Sequence, residues 1–515
     1  MTPLFRYRLP LAILLLSGCF ILLYPWYQYV LDDDGIGYAM VTKRLAAGDY
    51  FNALNGYWSP LHSWLALPFY EAGASLPAAF KLSNLFISCC MLYVLDRLMK
   101  HAELSVRKRL LLLITAIPIL LYMSFYQLAA DILFCLLFCW YVLLCAGATA
   151  FTKTATIIAC AVIGVLAYLA KAYAFPLFIA HFTVWQCWLY KRSLLPQRKK
   201  QLIKNLCTGI GVFLILSLPW IIALHGKYDR WTFGYSGKVN LAWQLAPEKT
   251  ISPDKPFFSA PPYPQSPTPW EDPGYPDQAS VSPFESPAIF FKQVKLVLHN
   301  IIAALQSFHE LSFLAAGIIL ALFLFVMRTG SSVLLLVLLS VLLLPGGYLP
   351  VHIEPRFLWP AAFLLLIAGS YLLTRIFTIW RFRQAAHRIA WIILIGSFLI
   401  TPLNALQDLR YANQTEHSLS GILQSEEISG KFASGTASYS SMRKIAFLSG
   451  NQYYENHRRQ SSYEEVAAAI ENQNIDYYFF FNEIPLDVFR NSTLYQKASR
   501  KKDYPQFNLI VLDMR

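Results

Sequence analysis

Apolar residues fall in long runs along this chain, parted by short polar gaps and by three much longer ones. A spanning helix needs about 20 mostly apolar residues. The runs predict helices at roughly 10–29, 76–96, 108–125, 127–148, 155–170, 173–190, 203–224, 309–327, 331–348, 357–377 and 388–405. The 155–190 stretch also reads as one broken helix, but two helices make the loop charges alternate. The gaps at 97–109, 149–154, 191–202, 328–330 and 378–388 are then all on one side, with the N-terminal Arg6 and Arg8. They carry Arg97, Lys100, Arg107, Lys108 and Arg109, then Lys153, Lys191, Arg192, Arg198, Lys199 and Lys200. Arg328, Arg381, Arg383 and Arg388 complete the set. Basic short loops mark the cytoplasmic side, so the N-terminus is expected inside and the segments 30–75, 225–308 and 406–515 outside.

The outer segments differ in character. Between Pro247 and Pro287 lie 12 prolines, with Tyr263, Trp270, Tyr275 and Phe284 among them. Such a loop reads as either a connector or a lid over a membrane-level cavity. In the tail, Ile445–Leu448, Tyr477–Phe481 and Phe507–Leu512 read as strands. Tyr463–Gln473 reads as a helix, with Val466, Ala467 and Ile470 on one face. The expected fold is an all-α polytopic transmembrane bundle of about 11 helices. A small C-terminal α/β domain lies outside it. The expected domains are residues 1–405, including the outer loops 30–75 and 225–308, and residues 406–515.

Composition supports the pattern. Of 515 residues, 56% are hydrophobic and only 14% charged, against about 25% charged in soluble proteins. Mean hydropathy is +0.43. A disordered chain and an ordinary cytosolic enzyme are excluded. The net charge of +13 is absorbed by the basic loops, so no nucleic-acid partner is inferred. All nine cysteines lie in or beside apolar runs, none after Cys207, and read as buried apolar residues rather than a disulfide framework. Leu16-Ser17-Gly18-Cys19 resembles a lipoprotein cleavage box, but the apolar run continues to Tyr24. An uncleaved first helix is therefore expected.

Four places carry candidate chemistry. Asp32, Asp33 and Asp34 follow the first helix directly. Adjacent carboxylates raise at least one pKa, which suits a general base or a hard divalent cation held through oxygen. The next stretch, Ile36 to Leu45, is amphipathic and is expected along the membrane surface. Tyr57, Trp58 and His62 lie in the same outer loop. The aromatics are interface anchors or substrate contacts, and the histidine an acid–base group or phosphate partner. His352, Glu354 and Arg356 stand together at the mouth of a later helix, where charge must be paired or working. Arg356 can grip a phosphate with two parallel hydrogen bonds. Lys171 interrupts an outer turn as a second cation or a snorkelling side chain. An acid and a phosphate clamp at one membrane surface suit group transfer from a phosphate leaving group.

These residues resemble the GT-C superfamily of polytopic glycosyltransferases, which includes protein O-mannosyltransferases, the aminoarabinose transferase of lipid A and mycobacterial arabinofuranosyltransferases. Asp33-Asp34, Leu45-Ala46-Ala47-Gly48 and Gly56-Tyr57-Trp58-Ser59-Pro60-Leu61 resemble the bacterial paired acids, "LA-x-G" and "GYxxPL". His352-Ile353-Glu354-Pro355-Arg356-Phe357 is similar to "HKExRF", with Ile353 in place of the signature Lys. Tyr168-Leu169-Ala170-Lys171 is similar to an "LTK" turn.

The resemblance implies an inverting transfer from a polyprenyl-phosphate sugar to a glycan, lipid or protein acceptor of the cell envelope. The chain would lie in a bacterial inner membrane, among membrane lipids, with the site on the periplasmic side. It puts the base on Asp33, with Asp32 and Asp34 as alternatives. Arg356, Lys171 and His352 would bind donor phosphate, with Glu354, His62, Tyr57 and Trp58 around them. The resemblance implies no catalytic metal; the three aspartates would be its ligands if there were one. Two other readings stay open: a lipid-linked sugar flippase or transporter, and a lipid-diphosphate-sugar polymerase or ligase.

Overall fold

A computed structural model of the chain describes residues 7–147, 153–247, 256–275, 280–380, 384–458, 461–482 and 485–515. Arg6, Arg381 and Arg383 of the charge pattern lie outside these residues. A helical bundle occupies most of the chain, and a mixed sheet with its helices closes one end.

The first half of the bundle begins with α1 (Arg8–Tyr27), α2 (Asp33–Ala46), α3 (Leu61–Glu71), α4 (Leu76–His101) and α5 (Val106–Tyr126). It continues through α6 (Asp131–Ala146), α7 (Thr154–Ala170), α8 (Ala174–Arg192), α9 (Pro196–Tyr228) and α10 (Ser236–Leu245). The second half contains α11 (Pro287–Leu311), α12 (Ala315–Thr329), α13 (Ser332–Leu343), α14 (Trp359–Trp380) and α15 (Gln384–Asp408). Among the described residues, seven helices are long and apolar enough to cross a membrane, and four apolar ones are shorter. Their shared core runs from Leu16 and Phe20 through Leu120, Phe134 and Cys139 to Trp359 and Leu365.

Most of the helix expected at 309–327 is α12, while residues 309–311 end α11. Leu311 ends α11, Ser312 stands extended beyond it with its N–H donating to the Phe308 carbonyl, and α12 starts after Leu314. Asn300 of α11 donates to the Leu349 carbonyl at 2.8 Å, level with the candidate site. At the far end of α12, the Gly330 carbonyl accepts from Arg192. The two helices therefore traverse the bundle as one interrupted path. All of α11 but its last three residues lies in the loop expected at 225–308. Its alternating Lys292, Lys295 and His299 lower the apolar average while Phe290, Phe291 and Leu298 stay exposed on one face.

The tail adds α16 (Gln414–Ser425), α17 (Tyr439–Ser449) and α18 (Tyr463–Gln473). The sheet comprises β1 (Phe258–Ser259), β2 (Lys431–Ser434), β3 (Gln452–Asn456), β4 (Tyr477–Phe480), β5 (Arg500–Tyr504) and β6 (Leu509–Asp513). Strand order is β1-β3-β2-β4-β6-β5. β2 pairs in parallel with β3 and β4, and the other pairings are antiparallel. Every residue of β4 is buried, because helices cover both faces. Tyr477 and Phe479 join the core under α16 and α17, while Tyr478 and Phe480 join the one under α18. β1 comes from the long loop, so that loop and the tail share one sheet.

Ile445–Leu448, expected as a strand, is helical. Met442, Ile445 and Ala446 are buried at helical spacing, and Gly450 ends α17 with φ 76°. Four apolar residues alone could not separate the two readings. The helix at Tyr463–Gln473 and the strand at Tyr477–Phe480 are present. The last strand starts at Leu509, after a 3₁₀ turn at Pro505–Phe507.

Nor does Ile36–Leu45 lie along a surface. Every residue of α2 from Gly35 to Thr42 is buried, beneath the long loop and α17. Gly37 permits this, since a Cβ there would sit 2.3 Å from Trp58 Nε1. Two cysteines also depart from expectation: Cys187 and Cys207 are exposed on α8 and α9.

Candidate functional site

The three adjacent aspartates begin α2. Asp32 is its N-cap: one carboxylate oxygen accepts from the Gly35 N–H at 2.8 Å, the other from the Leu128 N–H at 2.7 Å. Asp33 and Asp34 occupy the first turn, where carboxylates favour the positive end of the helix. The acids therefore point to three different places. Burial pushes the Asp32 carboxyl up to about 6, helped by the Asp34 charge and opposed by the Leu128 N–H. Lys81 Nζ donates to the Gln28 and Val30 carbonyls at 2.8 Å each, which fixes the connector from α1.

Asp34 faces the cations. Its Oδ2 lies 2.8 Å from Arg356 Nη2. The same guanidinium reaches Glu354 at 2.5 Å and Asp131 at 3.5 Å. Asp131, the first residue of α6, also pairs with Lys171. His352 Nε2 lies 3.0 Å from Glu354 Oε1. Pro355 starts a 3₁₀ turn that swings Arg356 inward ahead of α14, and Lys171 sits in the break between α7 and α8. Lys171 Nζ rests 4.0 Å from the Phe357 ring centroid. Burial draws its ammonium below the ordinary lysine range, against the pull of Asp131. Burial would raise the Glu354 carboxyl, but the His352 hydrogen bond and the Arg356 charge hold it at about 2.

Asp33 faces the tail. Ser440 donates to it at 2.8 Å, Arg443 lies at 3.2 Å and Lys444 at 3.4 Å. These three residues form one face of α17. Arg443 also forks onto Glu455 at 2.7 and 2.8 Å.

Aromatic residues flank the acids. Tyr57 and Trp58 are held by their N–H groups, both donating to Asn55 Oδ1 at 2.9 Å. Tyr57 packs against Trp58, Trp243 and Trp270. The Trp270 indole N–H points at Asp34 Oδ1, 3.3 Å away. His62 lies elsewhere: it is fully buried, bonded to Asn84 at 3.0 Å behind Tyr38. Burial pushes its pKa down to about 4, so the ring stays neutral.

Asp34, Asp131 and Glu354 thus converge on a guanidinium, with Lys171 and His352 beside it. Asp32, Asp33 and His62 are directed away. Asp131, Arg443 and the contact from Trp270 to Asp34 were not anticipated from the sequence. Asp131 had a signal, being a lone acid inside an apolar run; Arg443 had none. Among the described residues no three His, Cys, Asp or Glu side chains form a metal-binding group. The three aspartates diverge, so they do not fit a shared cation.

No family model matches the chain, and no curated protein matches it by sequence. Solved structures do resemble it. The apo oligosaccharyltransferase of Archaeoglobus fulgidus superposes with a TM-score of 0.57 at 11% identity, over 93% of this chain and 70% of that one. The same enzyme in complex with Zn and sulfate gives 0.58 at 10%, over 92% and 68%. ArnT from Cupriavidus metallidurans bound to undecaprenyl phosphate gives 0.55 at 11%, over 98% of both chains. At such identities the likeness is one of architecture: this chain shares the fold of the Archaeoglobus oligosaccharyltransferase and of ArnT.

Proposed function

We propose that the protein is an inverting glycosyltransferase that moves a sugar from a polyprenyl-phosphate carrier to a cell-envelope acceptor. The observation that carries this reading is the Asp34–Arg356–Asp131–Lys171 chain of ion pairs at one end of a GT-C bundle. ArnT was solved with undecaprenyl phosphate, and a further structure of the Archaeoglobus enzyme contains dolichol-phosphate and an inhibitory peptide. That end of the bundle lies opposite the basic loops. By the positive-inside rule it faces the periplasm of a bacterial plasma membrane, with the N-terminus cytoplasmic. Residues 1–405 form the membrane domain, and 406–515 the outer domain, whose sheet borrows β1.

In this reading the donor phosphate takes over Arg356 and Lys171, with His352 at the rim. Asp34 loses its ion pair and accepts the proton of an acceptor hydroxyl. The acceptor oxygen bonds to the anomeric carbon from the face opposite the phosphate. The carbon–oxygen bond to phosphate breaks, and its electron pair leaves on the phosphate, stabilised by the two cations. Glu354 and Asp131 hold those cations, and Tyr57 and Trp58 support the wall beside Asp34. Asp34 is favoured over Asp33 because Asp33 is engaged by three donors of the tail. No step is routed through a metal.

The test is transfer by purified protein from a panel of radiolabelled polyprenyl-phosphate sugars. Asp34→Asn is expected to lose about 10³-fold or more, the scale of a general base, and Asp33→Asn less than about tenfold. An inactive Asp33→Asn beside an active Asp34→Asn would return the base to Asp33. Turnover of no donor, with intact fold, would overturn the transferase reading.

A further inference from the structure

Trp270 is held on every side. Its ring lies parallel to Trp243, with centroids 5.3 Å apart at 17°. The Arg443 guanidinium carbon is 4.3 Å from its centroid, and Trp58 meets it edge-on at 5.9 Å. Its backbone carbonyl accepts from Trp58 Nε1 at 3.1 Å. The next two residues are pinned as well. Glu271 pairs with Arg44, and its carbonyl accepts from Asn55 at 2.7 Å. Asp272 accepts from Tyr228, Tyr235 and Tyr263. An indole so fixed aims its single N–H at Asp34 Oδ1.

Arg443 is fixed in its turn. Glu455 of β3 takes two of its N–H groups, and a third reaches Asp33. One side chain from the tail thus touches Asp33 and covers the ring that binds Asp34.

We propose that Trp270 and Arg443 are positioning residues for the acid pair, which makes the tail a working part of the site. The proposal rests on Asp34 being the base. A carboxylate has two oxygens, and here Arg356 holds one and Trp270 the other. Once donor phosphate draws Arg356 away, the indole N–H is the contact that keeps Asp34 from rotating. Its Oδ2 is then left toward the acceptor hydroxyl.

Trp270→Phe tests this, since it keeps an aromatic ring in the stack and removes the N–H. A hydrogen bond to a charged group has the magnitude to change kcat by roughly 10- to 100-fold. The expected result is a kcat lower by that factor with an unchanged donor KM. For Arg443, removal alone would strand a buried Glu455, so the variant is the double change Arg443→Met with Glu455→Gln. It should lower kcat about tenfold, and Arg443→Lys should recover part of the loss. A Trp270→Phe protein with the parent's kcat, in a preparation where Asp34→Asn is inactive, overturns the proposal. An active Asp34→Asn instead removes the reading beneath it.

Discussion

Two of the carboxylate–cation clusters at the site end of the bundle are built from the same kinds of residue. In one, Asp272 meets Lys227 at 3.6 Å and accepts from three tyrosine hydroxyls, with both charged side chains fully buried. In the other, Asp34, Asp131 and Glu354 share Arg356 and Lys171. There Asp34 keeps 23% of its side chain exposed, Glu354 35% and His352 45%. The first cluster is saturated and closed, and its work is to pin the long loop to α9 and α10. The second has more carboxylates than cations and open faces, so its partners can be exchanged for a substrate's. Residue types do not separate a pin from a site; saturation and exposure do.

The sharpest way to break this contrast is the same truncation in each cluster. Asp272→Ala leaves Lys227 buried without its counter-charge, and Tyr235 and Tyr263 without that acceptor, and should cost about 3–5 kcal/mol of stability. Asp34→Ala, partly exposed, should cost no more than about 1 kcal/mol. Unfolding of the detergent-solubilised proteins measures both, and equal losses would erase the distinction.

A smaller effect is expected where the two clusters meet. Gly37→Ala would force Trp58 away from its place against α2. An overpacking cost of about 1–3 kcal/mol follows, with weaker transfer because Trp58 steadies the Trp270 turn. A variant with the parent's stability and rate would mean that the wall beside Asp34 is soft.

The smallest expected effect is on pH dependence, and it has opposite sign in the two clusters. Glu354 is held at about 2 in the folded protein, below its unfolded value. Its contribution is full above about pH 4.5 and is lost as pH falls toward 2. The stability gap between the parent and Glu354→Gln should therefore close over that range. Asp272 is pushed up to about 7, by burial against the Lys227 charge. Its contribution is full below about pH 4 and is lost as pH rises through 7, so Asp272→Asn should gain on the parent across that span. Parallel pH profiles for the two pairs would contradict the assigned environments.

Much of this was legible along the chain. Long apolar runs place most bundle helices, because a buried or lipid-facing helix must be apolar over its whole length. Lys171, Glu354 and Arg356 stood out because charge at a helix mouth needs a reason. The broken path of α11 and α12 was not legible, since Lys292 and Lys295 dilute the apolar signal of a helix that still exposes Phe290 and Leu298. Asp131 hid inside a run drawn as continuous helix, and Arg443 stands two residues ahead of Ile445–Leu448, read as a strand because four apolar residues carry no period.

By itself the sequence determined a polytopic bundle, its basic and acidic ends, and the acids and cations gathered at one of them. Hydropathy and charge act over windows of consecutive residues, so the chain order carries them. Tertiary structure alone decided which acid meets which cation. Asp33 and Asp34 are neighbours in sequence, yet the 100° step between helical residues turns one toward Arg443 and the other toward Arg356. What each can do depends on partners more than 300 residues away.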